Sequence, residues 1–124
     1  MHDGHLTLQL QGILGEERFV AFAQELGGTR VYIPHRLRDD HEIVEVVGRE
    51  AADKLCRAMA PATIRVPLAR RMRALFYRRQ GLSDARIARK LGMTENGVAK
   101  LFAREGDLPD RPRKSKSAAQ LSLL

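Results

Sequence analysis

One side of a predicted helix near the C-terminus carries four hydrogen-bonding side chains, those of Thr94, Glu95, Asn96 and Lys100. Their chemistry fits the edges of nucleic-acid bases, because asparagine bonds adenine in a bidentate manner, lysine donates to guanine and glutamate accepts from cytosine N4. These four residues are therefore candidates for base contacts. The side as a whole is short and polar enough to enter a major groove, and it consists of Thr94, Glu95, Asn96, Ala99, Lys100 and Ala103.

A second group of side chains could neutralise DNA phosphates. Residues 1–63 hold seven Lys or Arg against ten Asp or Glu, net −3, whereas residues 64–124 hold fifteen against five, net +10. Such neutralisation releases condensed counterions, which supplies affinity but no choice of sequence. The candidates for phosphate contacts are Arg70, Arg71, Arg73, Arg86, Arg89 and Lys90.

The stretch from residue 84 to residue 104 predicts two short helices that position these groups. Ser83 can cap the first helix, and Gly92 suits the left-handed position that ends it. Thr94 can cap the second helix, and Met93 can fill the corner between the two. The apolar residues of each helix fall on one face, and they are Ile87, Ala88 and Leu91 in the first and Val98, Leu101 and Phe102 in the second.

These local features together predict a helix-turn-helix, and the plainer alternative is an ordinary pair of packed helices. A third, supporting helix is expected over residues 68–80. In that helix Leu68, Met72, Leu75 and Phe76 should face inward, and Arg70, Arg71, Arg73 and Arg78 outward. Gly97 lies within the second helix of the motif, where it either permits a close approach to DNA or is simply tolerated.

The N-terminal half predicts helices and short strands. Residues 1–15 look weakly ordered, with a short strand suggested by the alternation of Leu6, Leu8 and Leu10. A helix over 16–26 leads into a strand over 29–34. A capping box from Asp39 to Glu42 begins a second helical stretch, in which Gly48 either kinks one helix or separates two, and a strand over 63–67 follows.

These two units resemble an internal repeat at a shift of 33 residues, although two copies are too few for a solenoid. The matching residues are Gly15, Glu17, Leu26, Val31, Ile33 and Pro34 in the first copy and Gly48, Glu50, Met59, Ile64, Val66 and Pro67 in the second. The predicted fold class is thus mainly α with one or two short β-strands. The predicted domains are a weakly ordered N-terminus (1–15), a helix-strand dimerisation region (16–67), a helix-turn-helix domain (68–104) and a disordered basic tail (105–124).

Composition excludes several classes of function. The 124 residues are enough for one compact domain or two very small ones, and no apolar run approaches the ~18 residues of a membrane span. The acidic N-terminus is unlike a secretory signal, and the single cysteine, Cys56, fits a reducing compartment. We expect a cytoplasmic protein with double-stranded DNA as its partner and no membrane.

Neither catalysis nor a cofactor is expected. His2 and His5 have no cysteine nearby, which argues against a zinc site, and Cys56 and Ser83 lack a His/Asp setting that would activate a nucleophile. One helix-turn-helix makes few contacts, so specific sites are usually bound by dimers. The edges of the short strands in residues 16–67 could pair with a second chain, and we therefore expect a homodimer.

The stretch LGGTRVYIP at residues 26–34, with the helix-turn-helix at 83–104, resembles the Mor (middle operon regulator) family of phage transcription activators. The resemblance spans roughly residues 16–104. It implies a dimer made by the N-terminal region, a promoter with paired half-sites and contact with bacterial RNA polymerase. It also implies that the strand residues Gly27, Gly28 and Tyr32 act close to DNA.

One departure from the family concerns this strand. In the family the strand directly precedes the DNA-binding unit, whereas here a second helix-strand unit intervenes and its strand, APATIRVP, has no Gly-Gly or Tyr. Gly27, Gly28, Arg30 and Tyr32 are therefore candidates for contact with either DNA or a partner subunit. For Tyr32 we expect mainly a role in the dimer or the core.

The leading interpretation is a sequence-specific transcription regulator, an activator or a repressor, acting as a homodimer. A different class is a phage DNA adaptor, such as a packaging small subunit, which uses a helix-turn-helix without regulating transcription. The DNA-binding part of a recombinase is a third.

Overall fold

The computed structural model describes residues 2–105, and the side chains of residues 4–104. The chain divides into two compact units after Ala69, close to the predicted domain boundary after Pro67. The first unit contains α1 (His2–Leu14), α2 (Glu16–Leu26), β1 (Arg30–Ile33), α3 (Glu42–Val47), α4 (Arg49–Met59) and β2 (Ala62–Arg65). The second contains α5 (Arg70–Arg79), α6 (Asp84–Leu91) and α7 (Glu95–Glu105).

The predicted fold class is confirmed, because the described residues are mainly helical with one sheet of two short strands. Among residues 2–105, no helix combines the length and the apolar character that crossing a membrane requires. The predicted disordered tail, 105–124, lies outside the described residues except for Glu105, which ends α7.

Residues 2–14 form a helix, so for them the prediction of a weakly ordered segment or strand over residues 1–15 is wrong. Leu10 and Leu14, four residues apart, are both buried, whereas Leu8 is 68% exposed. The alternation of leucines that indicated a strand conceals this helical spacing. Gly4 and Gly12 lower the helix propensity, but α1 packs against α2 and α4, and tertiary packing outweighs propensity.

The helix over 16–26 is confirmed residue for residue, with Phe19, Phe22 and Ala23 buried on its inner face. The strand that follows is also confirmed: Val31 and Ile33 are buried. Alternation along the strand then directs the intervening side chains to solvent.

Antiparallel pairing joins β1 and β2 within the chain. The register places Arg30 opposite Arg65, Val31 opposite Ile64, Tyr32 opposite Thr63 and Ile33 opposite Ala62. The pairing continues beyond the strands, where the Val66 N–H donates to the Thr29 carbonyl at 2.8 Å. Each strand therefore uses one edge inside the chain, and the apolar side of the sheet joins the core of the first unit.

The start of α3 differs from the predicted capping box of Asp39 and Glu42. The N-cap is His41, whose Nδ1 accepts a hydrogen bond from the Ile43 N–H at 3.1 Å. Asp39 instead accepts from Nη1 of Arg49 at 3.0 Å, in an exposed ion pair. Imidazole nitrogen substitutes for the carboxylate oxygen as the acceptor at the helix start, a role that the sequence pattern does not reveal.

Two glycines separate consecutive helices in the first unit. Gly48 stands between α3 and α4 with φ 91° and ψ 162°, and Gly15 stands between α1 and α2 with φ 84° and ψ 162°. This region of backbone conformation is accessible essentially to glycine alone. Of the two alternatives left open for Gly48, separation of two helices is the correct one.

Replacement of Gly48 by alanine is expected to lower the free energy of unfolding by about 1–3 kcal/mol, because a Cβ atom strains this backbone conformation. A matched control is Gly12→Ala within α1, where a new Cβ would meet nothing within 4 Å. That variant should gain up to about 1 kcal/mol from helix propensity. Chemical denaturation followed by circular dichroism measures both. Effects of the same sign would contradict the conclusion that the backbone conformation at residue 48 requires glycine.

Candidate nucleic-acid interface

The turn between α6 and α7 has the geometry that the sequence predicts. The Ser83 hydroxyl caps α6 by accepting from the Arg86 N–H at 3.2 Å. Gly92 adopts the left-handed conformation, φ 69° and ψ 37°, and the Met93 N–H bonds back to the Ala88 carbonyl at 2.9 Å. These bonds satisfy the last carbonyls of α6 and turn the chain sharply toward α7.

The start of α7 depends on three neighbouring residues. The Thr94 Oγ1 accepts from the Gly97 N–H at 2.9 Å, which confirms the predicted cap. A Cβ atom at residue 97 would lie 3.1 Å from Met93 Cε and 3.2 Å from Thr94 Oγ1. Glycine at this position therefore makes room for the cap and for the Met93 side chain, which is a local reason different from both sequence-based alternatives.

The two helices bury the apolar residues that periodicity assigns to them. Within α6 these are Ile87, Ala88 and Leu91, and within α7 they are Val98, Leu101 and Phe102. Since α6 packs on both α5 and α7, the second unit is a three-helix arrangement around one small core. That core fixes which side of α7 faces solvent.

The solvent side of α7 is the one predicted to carry base contacts. All six of its residues are exposed: Thr94, Glu95, Asn96, Ala99, Lys100 and Ala103. Thr94 also holds the helix cap, so its hydroxyl is engaged with the backbone. Glu95, Asn96 and Lys100 thus remain the longer polar side chains of a narrow surface flanked by two alanines.

Arg73 is the candidate that the structure removes from the phosphate contacts. It is only 4% exposed, and its Nη2 donates to the Lys90 backbone carbonyl at 2.8 Å while its Nε donates to the Tyr77 hydroxyl at 3.3 Å. The guanidinium also lies 5.9 Å from the centroid of the Tyr77 ring. Arg73 therefore ties α5 to the last turn of α6, and the prediction that it faces outward is wrong.

The inner face of α5 is also rotated from the predicted one. Ala74 and Tyr77 are buried along with Arg73, whereas Leu68 precedes the helix and is 40% exposed. Arg78, expected to face outward, stacks over Phe102 of α7 with its guanidinium carbon 4.5 Å from the ring centroid. Met72, Leu75 and Phe76 of the expected face are half-buried. A guanidinium can be buried when it is hydrogen-bonded and packed against aromatic rings, which explains the arginine on the inner side.

The remaining phosphate candidates are exposed: Arg70, Arg71, Arg86, Arg89 and Lys90. Lys90 Nζ also lies 5.5 Å from the Tyr77 ring centroid. Residues 70–105 hold ten Lys or Arg against three Asp or Glu, a net charge of +7. Such an excess on a unit of three short helices attracts polyanions.

The strand candidates all lie in the first unit. Tyr32 is 56% exposed and Arg30 is exposed, so a core role for Tyr32 is wrong. Gly27 has a structural reason to be glycine, since a Cβ there would approach the Ala23 carbonyl closely and the Leu68 side chain to 3.2 Å. Gly28 adopts φ 84° and its N–H donates to the Val66 carbonyl at 2.7 Å.

The sequence did not reveal a pair of arginines that face each other across the sheet. Arg30 lies directly opposite Arg65, and both are exposed. Arg65 Nη1 donates to the Gly28 carbonyl at 3.3 Å. Like charges directly opposite on paired strands destabilise a sheet, so this position would gain from an anionic partner. The exposed residues of the two strands, Arg30, Tyr32, Thr63 and Arg65, are called the strand surface below.

The cysteine is buried in α4. Burial raises the pKa of the Cys56 thiol, and the negative charge of Asp53 raises it further. A raised pKa keeps the thiol protonated and weakly nucleophilic at neutral pH. Within the described part of the chain, no cluster of three or more His, Cys, Asp or Glu side chains could hold a metal ion.

Comparison of the chain with protein-family models, curated proteins and solved structures finds no match. The resemblance to the Mor family therefore stays an expectation, carried by the quoted residues.

Replacement of Arg73 by methionine should lower the free energy of unfolding by about 1–3 kcal/mol, because the apolar stem is kept while the hydrogen bonds to Lys90 and Tyr77 are lost. Arg70→Met on the same helix is the control, since Arg70 is exposed, and it should change stability by no more than about 0.5 kcal/mol. Thermal and urea denaturation measure both. Equal effects would show that the buried guanidinium does not stabilise the unit.

Proposed function

We propose that the protein is a sequence-specific DNA-binding regulator of transcription, an activator of the phage type. The observation that carries this proposal is the exposed polar side of α7 on a helix-turn-helix whose turn, caps and core are all formed. In this proposal α7 lies in the major groove. Asn96, Lys100 and Glu95 contact base edges, while Thr94 holds the N-terminus of the helix that presents them.

Phosphate contacts would come from the exposed arginines and Lys90 of the second unit. The +7 charge of residues 70–105 supports this assignment, since each neutralised phosphate releases counterions. Arg73 has no such role because its guanidinium is engaged inside the unit. The protein then acts by binding rather than by catalysis.

Two copies would occupy paired half-sites, because one helix-turn-helix makes few base contacts. In this proposal they form a homodimer on double-stranded DNA, whereas the sequence alone predicts a dimer held by residues 16–67. The resemblance to the Mor family implies a second partner besides DNA, bacterial RNA polymerase. The protein would then act in the cytoplasm and nucleoid of a bacterial host. The alternative of a phage packaging adaptor uses the same unit without a specific operator.

Selection of bound sequences from a random DNA pool tests the proposal against that alternative. A regulator should enrich one motif, present as a palindrome or as spaced repeats about one helical turn, ~34–36 Å, or a multiple apart. An adaptor should enrich no motif while still retaining DNA. Absence of DNA binding altogether would contradict both.

Asn96→Ala and Lys100→Ala should each weaken binding to the selected site and relax preference at single base pairs by about 1–3 kcal/mol, because both residues are exposed on α7. The matched control is Arg86→Ala, which removes an exposed charge from α6. Arg86→Ala should weaken specific and random DNA to the same extent. Fluorescence anisotropy with both kinds of DNA measures the difference; equal losses for all three variants would contradict base contact by α7.

A second DNA contact is proposed for the strand surface, where the sequence left DNA and a partner subunit as alternatives. Arg30 and Arg65 are directly opposite on the paired strands, which favours an anion beside them, and the DNA backbone provides one. The exposed Tyr32 and Thr63 add two hydroxyl groups beside them. In this proposal Gly27 and Gly28 do not contact DNA; they only allow the backbone conformation that leads into β1.

Arg65→Glu should weaken DNA binding while it stabilises the protein by about 0.2–1 kcal/mol, since an opposite charge then faces Arg30. Arg36→Glu makes the same change of net charge at an exposed position in the loop after β1. DNA affinity and urea denaturation are measured for both. An equal loss of DNA affinity in the two variants would show that net charge alone explains the effect, and would contradict a contact at the strand surface.

A further inference from the structure

The first unit consists of two halves with the same order of elements. Each half has a helix, one glycine, a helix of eleven residues and a strand of four residues. The first half comprises α1, Gly15, α2 and β1, and the second comprises α3, Gly48, α4 and β2. A shift of 33 residues relates the two glycines and both ends of the eleven-residue helices, in agreement with the repeat predicted from the sequence.

The backbone repeats in detail at this shift. The two glycines share one unusual conformation, φ 84° and 91° with ψ 162° in both. Gly15 N–H donates to the Gln11 carbonyl at 2.8 Å, and Gly48 N–H donates to the equivalent Val44 carbonyl at the same distance. The bonds that close α2 and α4 are equivalent too, running from residue 27 to 23 and from residue 60 to 56, each at 2.9 Å.

The core repeats at the same shift although the residue types differ. Seven equivalent pairs are buried in both halves: Leu10 and Ile43, Leu14 and Val47, Phe19 and Ala52, Phe22 and Leu55, Ala23 and Cys56, Val31 and Ile64, and Ile33 and Val66. Equivalent positions therefore face the same shared interior. A chance succession of helices and strands would not keep seven inward positions in step.

The two halves are also packed in a reciprocal way. α1 packs on α2 of its own half and on α4 of the other, and α3 packs on α4 and on α2 in the same manner. In the sheet Val31 pairs with Ile64, its own equivalent. At the shift of 33 residues Arg30 corresponds to Thr63, and Tyr32 corresponds to Arg65. Exchanging the two halves therefore converts the Arg30–Arg65 pair into the Thr63–Tyr32 pair, which the sheet also contains.

Such reciprocity is the property of an isologous two-fold interface, in which residue i contacts j and j contacts i. In most proteins that interface joins two copies of a chain. We propose that in this protein both sides of the interface belong to one chain. The two halves of the first unit pair with each other, and the free protein is a monomer. The pairing of β1 with β2 then occupies one edge of each strand, the edge with which the equivalent strand of a second copy would otherwise have paired.

This inference does not rest on DNA binding. It does affect how two copies bind paired half-sites, because they would reach the DNA as separate monomers. Each monomer would carry one helix-turn-helix and a first unit whose two-fold interface is already formed. The occupant of the interface is the other half of the same chain, and a second copy is the competing occupant.

A cross-strand disulfide tests the proposal. Tyr32 and Thr63 are exposed and directly opposite, and Cβ atoms at such positions lie ~4.5–5.5 Å apart, near the span of a disulfide. The double variant Tyr32→Cys/Thr63→Cys is made in full-length protein carrying Cys56→Ala, so that only the new thiols react. Alanine suits residue 56 because Ala23 holds the equivalent buried position.

After mild oxidation the double variant should run on a non-reducing gel as a monomer and lose the mass of two hydrogens. Sedimentation equilibrium of the unaltered chain should give 13.9 kDa over a wide range of concentrations. The two single-cysteine variants serve as controls and should form no intrachain link.

A dimer covalently joined through residues 32 and 63 would overturn the proposal, because β1 would then pair with β2 of another copy. A dimer mass for the free, unaltered protein would overturn it as well, however the disulfide forms. Failure of the two thiols to link in the folded double variant would contradict the pairing itself. Circular dichroism before oxidation establishes that the variant is folded.

Discussion

The antiparallel pairing of β1 with β2 is the contact on which the first unit depends. It joins residues 29 to 35 positions apart in the chain and brings Val31 against Ile64 at the centre of the sheet. Each strand follows an eleven-residue helix after only two or three residues, so the pairing also restricts where those two helices can lie. Without this pairing each half would expose one apolar strand face and the buried sides of two helices, and a chain of about 30 residues is too short to form a core alone.

The second unit depends on a different kind of contact. Its helices are short, between eight and eleven residues, and isolated helices of that length are marginal in water. Caps at Ser83 and Thr94, the glycine turn at Gly92 and the guanidinium of Arg73 each fix one end or one junction. Hydrogen bonds and aromatic contacts therefore act together with apolar packing to hold the exposed polar side of α7 in place.

Local chemistry predicted much of this arrangement. The bounds of α2, both caps of the helix-turn-helix, its six buried apolar residues and the exposed side of α7 follow from periodicity and from turn residues. The errors arise where a tertiary contact reverses a local rule. Arginine is normally a surface residue, so no pattern distinguishes the buried Arg73 from Arg70. The helix α1 was missed because its glycines and alternating leucines disfavour a helix until α2 and α4 cover it. Strand partners lie far apart in the chain, and no local signal specifies which edges pair.

The repeated architecture of the first unit has a consequence for how the molecule can change over time. In a homodimer a single substitution alters both sides of the axis together, but in a duplicated chain it alters one side only. The two halves do differ at equivalent positions. Val20 is buried in α2, whereas its equivalent Asp53 forms an ion pair with Arg49 at 2.8 Å. Tyr32 and its equivalent Arg65 likewise differ in chemistry at matching positions of the sheet. A duplicated chain can in this way acquire a surface with two unlike ends, which an exact two-fold dimer cannot have.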